Sequence, residues 1–331
     1  MLKQISLLIL CAVAIVLFAT PVQACTSAVV SGKVTPDGRP LLWKNRDTDF
    51  MRNHIDYVKG EKYNFIAVVN SANAYLKEAW MGTNSSGFAL MNTQSYNLVD
   101  VKGDEERGAA NGRVIYRALE VCATVEDFCH FLDTISKPSD IEANFGVIDA
   151  QGGAAMFEVD YYKYVMYDAN NPKDAPYGYI ARTNFSFAGK VNEGAGYVRY
   201  MEADQVLMKA SATGSITPQF IFNDLSRSFR NRMLDIDLRS GAYNRPQASG
   251  WFVDQDFIPR SSTSCSVVVQ GVKPGEKAEL TTMWTLLGYP PTGIAVPLWV
   301  KDAGKLLPGM VRFGKEHEAA PLSDWSLRLA D

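Results

Sequence analysis

The stretch with the clearest chemical potential is Ala24-Cys25-Thr26-Ser27. Cys25 directly follows a segment ending Pro21-Val22-Gln23-Ala24. A cut after Ala24 would put a thiol and a free α-amine on one residue. A free thiol has a pKa of about 8.5 and needs a base at neutral pH. An α-amine, with a pKa of about 7.7–8.0, can take that proton and later return it to a leaving amine. The histidines His54, His130 and His317 lie in no recognisable Cys–His protease context. No His or Cys pair has metal-ligand spacing, and no glycine-rich phosphate loop follows a strand pattern. The residue types point to attack by sulfur without a metal or organic cofactor.

The segment before Cys25 carries Lys3, an apolar run from Ile5 to Phe18 and a small-residue cleavage site. This is the grammar of a cleaved signal peptide. The apolar run is short for a membrane span, which needs about 20 residues. An uncleaved anchor is the bland alternative. A sharper one is a lipoprotein, since a Cys directly after the cut is where a lipid would be attached. Val22 and Ala24 suit that pattern and Gln23 does not. A lipidated, acylated Cys25 could serve neither as thiolate nor as amine. The expected organisation is a leader over residues 1–24 and one domain over 25–331, secreted or periplasmic, with anchoring at Cys25 as the alternative. No membrane span is expected after cleavage.

The elements that must position Cys25 follow from hydrophobic periodicity. Ser27–Val30 is β-branched, Thr35-Pro36-Asp37-Gly38 is turn chemistry, and Pro40–Trp43 leads into Lys44-Asn45-Arg46-Asp47. This predicts a hairpin with Cys25 opening its first strand. Strands are also predicted at Phe65–Asn70, Leu76–Gly82 and Phe88–Gln94, the last two joined by an Asn84-Ser85-Ser86-Gly87 turn. Helical spacing covers Ala110–Cys122, and a second helix follows an N-cap at Thr124. Strands return at Asn144–Asp149, Ala154–Val159, Tyr161–Tyr167 and Ile180–Phe185. Helices are predicted at Val198–Lys209 and Thr217–Phe229, then strands at Ser264–Val272, Ala278–Leu287 and Ile294–Val300. Blocks of strands separated by blocks of helices indicate α+β, not a doubly wound sheet.

Cys25-Thr26-Ser27, followed by Lys44-Asn45-Arg46-Asp47, resembles the N-terminal-nucleophile hydrolases. The nearest group is the linear-amide C–N hydrolases: choloylglycine hydrolase, penicillin V acylase and the acyl-CoA:6-aminopenicillanate acyltransferase relatives. The resemblance implies a four-layer αββα sandwich and acyl transfer through Cys25. It makes Asp47 the acid that holds the nucleophile's amine. Gly87-Phe88-Ala89-Leu90-Met91-Asn92 and Thr183-Asn184 match stretches whose asparagines stabilise the oxyanion, which implies that role for Asn92 and Asn184. Gly196-Tyr197-Val198-Arg199-Tyr200 matches a helix start that supplies an active-site Arg, here Arg199. The chain departs from the pattern at Lys44, where the relatives carry Arg. Lys lacks the planar fork of a guanidinium. Lys44 or Arg46, two residues apart on one strand face, would then bind substrate or stabilise charge. Trp80, Trp251 and Phe252 are candidates for an acyl pocket, with plain core as the alternative.

Composition bounds the partners. The 331 residues include 33 basic and 36 acidic side chains, and that balance gives no basic face for nucleic acid. The expected partner is a small-molecule amide; self-association into a homo-oligomer stays open. Cys25, Cys122, Cys129 and Cys265 follow the leader, too few for a disulfide scaffold. Cys122 and Cys129 flank the short helix connection, as a bridge or as two buried thiols. Asn184-Phe185-Ser186 is also an N-x-S match. Two rivals remain beside a hydrolase: an acyltransferase using the same residues, and a lipid-anchored binding protein without catalysis.

Overall fold

In the computed structural model, which describes residues 24–99, 108–241, 254, 256–313 and 319–330, the chain enters a strand at Cys25. The expectations for the leader, Trp251 and Phe252 fall outside the described residues. Strand β1 (Cys25–Val30) turns through Gly32–Val34 into β2 (Leu41–Asp47), the predicted hairpin. A meander follows: β3 (Asn53–Val58), β4 (Phe65–Asn70), β5 (Met81–Asn84) and β6 (Ala89–Gln94). Helices α1 (Asn111–Val121) and α2 (Val125–Thr134) interrupt it before β7 (Ala143–Ile148), β8 (Ala154–Val159) and β9 (Tyr164–Asp168). The chain continues through β10 (Tyr179–Arg182), α3 (Tyr197–Ala212) and a small ribbon of β11 (Arg230–Asn231) and β12 (Ile236–Asp237). It closes with β13 (Thr263–Gln270), β14 (Thr282–Leu287), β15 (Val296–Leu298) and α4 (Pro321–Arg328).

Two antiparallel sheets result. One runs β10-β1-β2-β13-β14-β15, and the other runs β3 to β9 in sequence order. Side-chain alternation gives each sheet two apolar faces. Val29, Leu42 and Val267 of the first sheet meet Ile66, Met91 and Met156 of the second between the sheets. The outer face of the second sheet, with Phe65, Phe145 and Phe157, packs on Ile115, Leu119 and Phe128 of α1 and α2. The outer face of the first, with Ala28, Leu41 and Trp43, packs on Ala203 and Leu207 of α3. The layering is therefore α-β-β-α, as the α+β expectation and the implied αββα sandwich required. Gly146 has no room for a side chain: a Cβ there would sit 2.3 Å from Met91 Cε of its own sheet and 2.8 Å from Leu42 Cδ1 of the facing one.

Several predicted elements differ. Leu76–Gly82 is not one strand: Ser71–Leu76 is a 3-10 turn and the strand starts at Met81. Lys77, at φ 54°, breaks the extended run. Thr217–Phe229 is not a long helix. It is one turn at Pro218–Phe220 and a π-turn at Ile221–Leu225, because Ser226 and Ser228 turn inward to Trp43 and Glu202. A Trp43 indole with no exposure requires such a partner for its N–H. Strand β3 and helix α4 had no sequence prediction. Cys122 and Cys129 are free thiols, so the bridge between them does not form. The capping box at Thr124 is present, closed by Asp127.

Candidate active site

Cys25 heads β1, and its Cα pairs with Arg46 while Ser27 pairs with Lys44. Alternation places Cys25 on the face of Val29, and Lys44 and Arg46 on the face of Leu42. Those side chains therefore start between the sheets, where both cations are buried.

The backbone around Cys25 is held at each polar atom. Its N–H donates to Asn184 Oδ1 at 3.0 Å, and its carbonyl oxygen accepts from Arg199 Nη1 at 2.6 Å. The carbonyl of Ala24 accepts from the Asp47 N–H at 2.8 Å. Arg199 also donates to Thr26 Oγ1 at 2.9 Å and, through Nη2, to Asn184 Oδ1 at 2.8 Å. Asn184 Nδ2 donates to the Gln94 carbonyl at 2.8 Å. The Arg199 donor fixes which end of the Asn184 amide is oxygen, since a guanidinium can only donate. Asn184 thus serves the Cys25 nitrogen through its oxygen. One of the two N–H donors of its nitrogen goes to the Gln94 carbonyl.

Asp47 ends β2 beside this cluster, and its carboxylate has other partners. Thr263 Oγ1 donates to Oδ1 at 2.6 Å, and Arg260 Nε donates to Oδ2 at 2.9 Å. Burial pushes the Asp47 carboxyl up, against the pull of Arg260 and Arg199. Among the described residues no hydrogen bond joins the carboxylate to the Cys25 nitrogen, whose single N–H in the uncut chain goes to Asn184. Burial lowers the Arg199 guanidinium to about 10, which still leaves it a cation at neutral pH.

Lys44 and Arg46 take different places. Lys44 Nζ crosses to the second sheet and donates to Asn92 Oδ1 at 2.9 Å and to the Trp80 carbonyl at 3.0 Å. Burial pushes its ammonium down to about 8, although the adjacent Cys25 raises it. Arg46 donates to Asn53 Oδ1 at 2.6 Å and Asn70 Oδ1 at 2.8 Å, with its guanidinium 4.6 Å from the Trp80 ring centroid. Arg46 is therefore committed to β3, β4 and a cation–π contact, and Lys44 is the cation joined to Asn92. Trp80 stacks on Arg46, while an open groove of about 510 Å³ lined by Leu280, Trp299 and Leu306 contains none of these residues.

The loop after β10 carries Asn184 and is pinned from three sides. Asn144 Nδ2 donates to the Thr183 and Phe185 carbonyls, both at 3.2 Å. Asn97 Oδ1 accepts from the Ser186 N–H at 2.8 Å. Glu158 accepts from the Phe187 and Ala188 N–H groups and from Arg182 Nε at 2.6 Å. Asn184 has no exposure and both ends of its amide are engaged, which leaves a glycan no place at the N-x-S match.

Sequence reasoning missed Arg260, Thr263, Gln94 and Tyr96. Burial raises the Tyr96 phenol, and the nearby Cys25 raises it further, so this side chain lies close to Cys25. Arg260 lies 213 residues from Asp47 in sequence, and nothing local marks it as a partner. Ser95-Tyr96-Asn97, directly after β6, was the one available signal for Tyr96: polar and aromatic residues just past a strand end.

Cys25 is thus a buried cysteine at the head of a strand in an αββα sandwich, with its nitrogen and its carbonyl each anchored. The chain belongs to the acyl-coenzyme A:6-aminopenicillanic acid acyl-transferase family, whose model matches residues 34–210. That span contains Lys44, Asp47, Asn92, Asn184 and Arg199 but neither Cys25 nor Arg260. No curated protein matches the chain. Among solved structures, it is similar to penicillin V acylase from Agrobacterium tumefaciens at 15% identity and TM-score 0.44, covering 84% of this chain and 86% of that one. A mutant of the conjugated bile acid hydrolase from Clostridium perfringens gives 14% and 0.44, covering 83% and 92%. A Caenorhabditis elegans ortholog of N-acylethanolamine-hydrolyzing acid amidase gives 16% and 0.41, covering 61% and 89%. The family assignment stands on the sequence match.

Proposed function

We propose that this chain is a secreted cysteine amidohydrolase that cleaves a linear N-acyl amide through an acyl-enzyme on Cys25. The observation that carries the reading is the hydrogen bond from the Cys25 nitrogen to Asn184 Oδ1, itself held by Arg199. The atom that leader removal would turn into a free amine already sits in a buried polar cradle. Hydrolysis of the Ala24–Cys25 peptide bond supplies that amine. The neutral amine takes the Cys25 thiol proton, and the thiolate attacks the substrate carbonyl. Asn92 Nδ2 donates to the resulting oxyanion. The Cys25 ammonium returns its proton to the leaving amine, the C–N bond breaks, and a thioester remains. Water, deprotonated by the same amine, releases the acid. Asn184 and Arg199 hold the amine and the Cys25 backbone in place throughout, and Asp47 and Arg260 form the charge pair behind them.

The prediction is that Cys25→Ser lowers hydrolysis of an N-acyl amide panel at least about 10²-fold while the thermal unfolding temperature is unchanged. Equal turnover by the two proteins would overturn the assignment.

The family's name favours a second reading, an acyltransferase in which an amine intercepts the thioester before water does. Adding an amine acceptor to a turnover mixture separates the two. Amide product rising with acceptor at constant total turnover identifies transfer, and acid alone identifies hydrolysis.

A further inference from the structure

We propose that Lys44 is a positioning residue for Asn92: its ammonium takes the amide's Oδ1 and so presents Nδ2 to the carbonyl oxygen attacked by Cys25. The inference rests on the amidohydrolase reading and deepens it. An asparagine amide is nearly symmetric in shape, so packing alone does not choose which end faces a substrate. A donor-only partner does. Lys44 Nζ, rooted on β2, bridges Asn92 Oδ1 at 2.9 Å and the Trp80 carbonyl at 3.0 Å on the facing sheet. Both acceptors are oxygens, so the two bonds act together to seat one cation. Lys44 and Asn92 are 2% and 3% exposed, which keeps water from competing for either group. Asn92 Nδ2 has no partner among the described residues and is the end left for a ligand.

The same bonds make the arrangement depend on charge. A neutral Lys44 could accept from Nδ2 as well as donate to Oδ1, and the amide would lose its fixed direction. The charged or titratable groups around Lys44 are Cys25 on β1, Arg46 and Asp47 on its own strand, and Cys265 on β13. Cys25, Cys265 and Asp47 favour the ammonium; burial and Arg46 oppose it, and the balance falls near 8. Where the resembling enzymes carry Arg, this limit is absent, because a guanidinium stays charged.

The test measures kcat and KM from pH 6 to 10 for the wild type, K44R, K44M, N92L and the K44M/N92L pair, with C25S as baseline. K44M and N92L are each expected to lower kcat about 10²-fold with KM nearly unchanged, and the pair no further, since both remove one oriented donor. K44R is expected to keep most of kcat at neutral pH and to move the alkaline limb upward from about pH 8. The Cys25 amine, with an ordinary pKa of about 7.7–8.0, governs the acid limb, where it must be neutral, so the wild-type profile is a narrow bell and K44R is expected to widen it on the alkaline side alone. Losses that multiply in the double variant, or an alkaline limb unmoved in K44R, would overturn the proposal. If K44M fails to fold, the K44R limb alone decides. Wild-type turnover no higher than C25S would instead overturn the amidohydrolase reading, and this inference with it.

Discussion

Lys44 works against the fold while it serves the site. Its ammonium is stable in water up to about 10.5 but only to about 8 when buried. Below pH 8 the residue is charged in both folded and unfolded chains, and the full burial penalty applies. Between about 8 and 10.5 only the unfolded chain is protonated, so stability rises with pH across that window. The gain is on the order of 3 kcal/mol. Cysteines and tyrosines titrate nearby, so the difference between wild type and Lys44→Met isolates the effect. Urea unfolding at both ends of the window should show wild type gaining on the variant as pH rises. A constant difference would mean that Lys44 is solvated in the folded protein. A residue that is unfavourable to stability and tied to Asn92 is one whose presence stability does not explain.

At the scale of elements, β2 and the loop after β10 carry the site. Strand β2 presents Lys44 and Arg46 on one face and ends at Asp47, while the loop brings Asn184, and the first turn of α3 brings Arg199, to Cys25. Gly196 joins loop to helix: it caps α3 at φ 86°, and a Cβ there would lie 2.5 Å from Arg199 Nη2. Gly196→Ala should therefore destabilise the protein by about 1–3 kcal/mol and reduce turnover by displacing Arg199. Denaturation midpoints and kcat test this together. An alanine variant as stable and active as the wild type would show that the left-handed turn is not required. Much of this was legible beforehand. Short apolar runs such as Ala154–Val159, buried on both faces, announce a strand within a few residues, and the capping box at Thr124 is equally local. The pairing of Cys25 with Asn184 was reachable only through motif order, and the Arg260–Asp47 pair not at all. Such contacts span 159 and 213 residues, and no local pattern encodes which distant side chain will arrive. The direction of the Asn184 amide was equally hidden, because it depends on Arg199 and Gln94 arriving from different elements.

At the scale of the molecule, two sheets packed face to face bring groups from opposite layers into one dry space. The first sheet supplies Cys25, Lys44 and Asp47; the second supplies Asn92 and the carbonyl of Trp80. Lys44 spans the gap between them. Cys25 is the first residue of β1, where the proposed cut would fall. The amine chemistry then depends on a single covalent event at the Ala24–Cys25 bond. Ala24 is buried, and its carbonyl is held by Asp47, so the bond lies inside the site it would activate. Intact-mass and N-terminal peptide analysis of the protein purified from its native host tests this most directly. The account predicts a first residue of Cys25 with an unmodified thiol and a free α-amine. A different first residue, or a Cys25 carrying lipid, would contradict it.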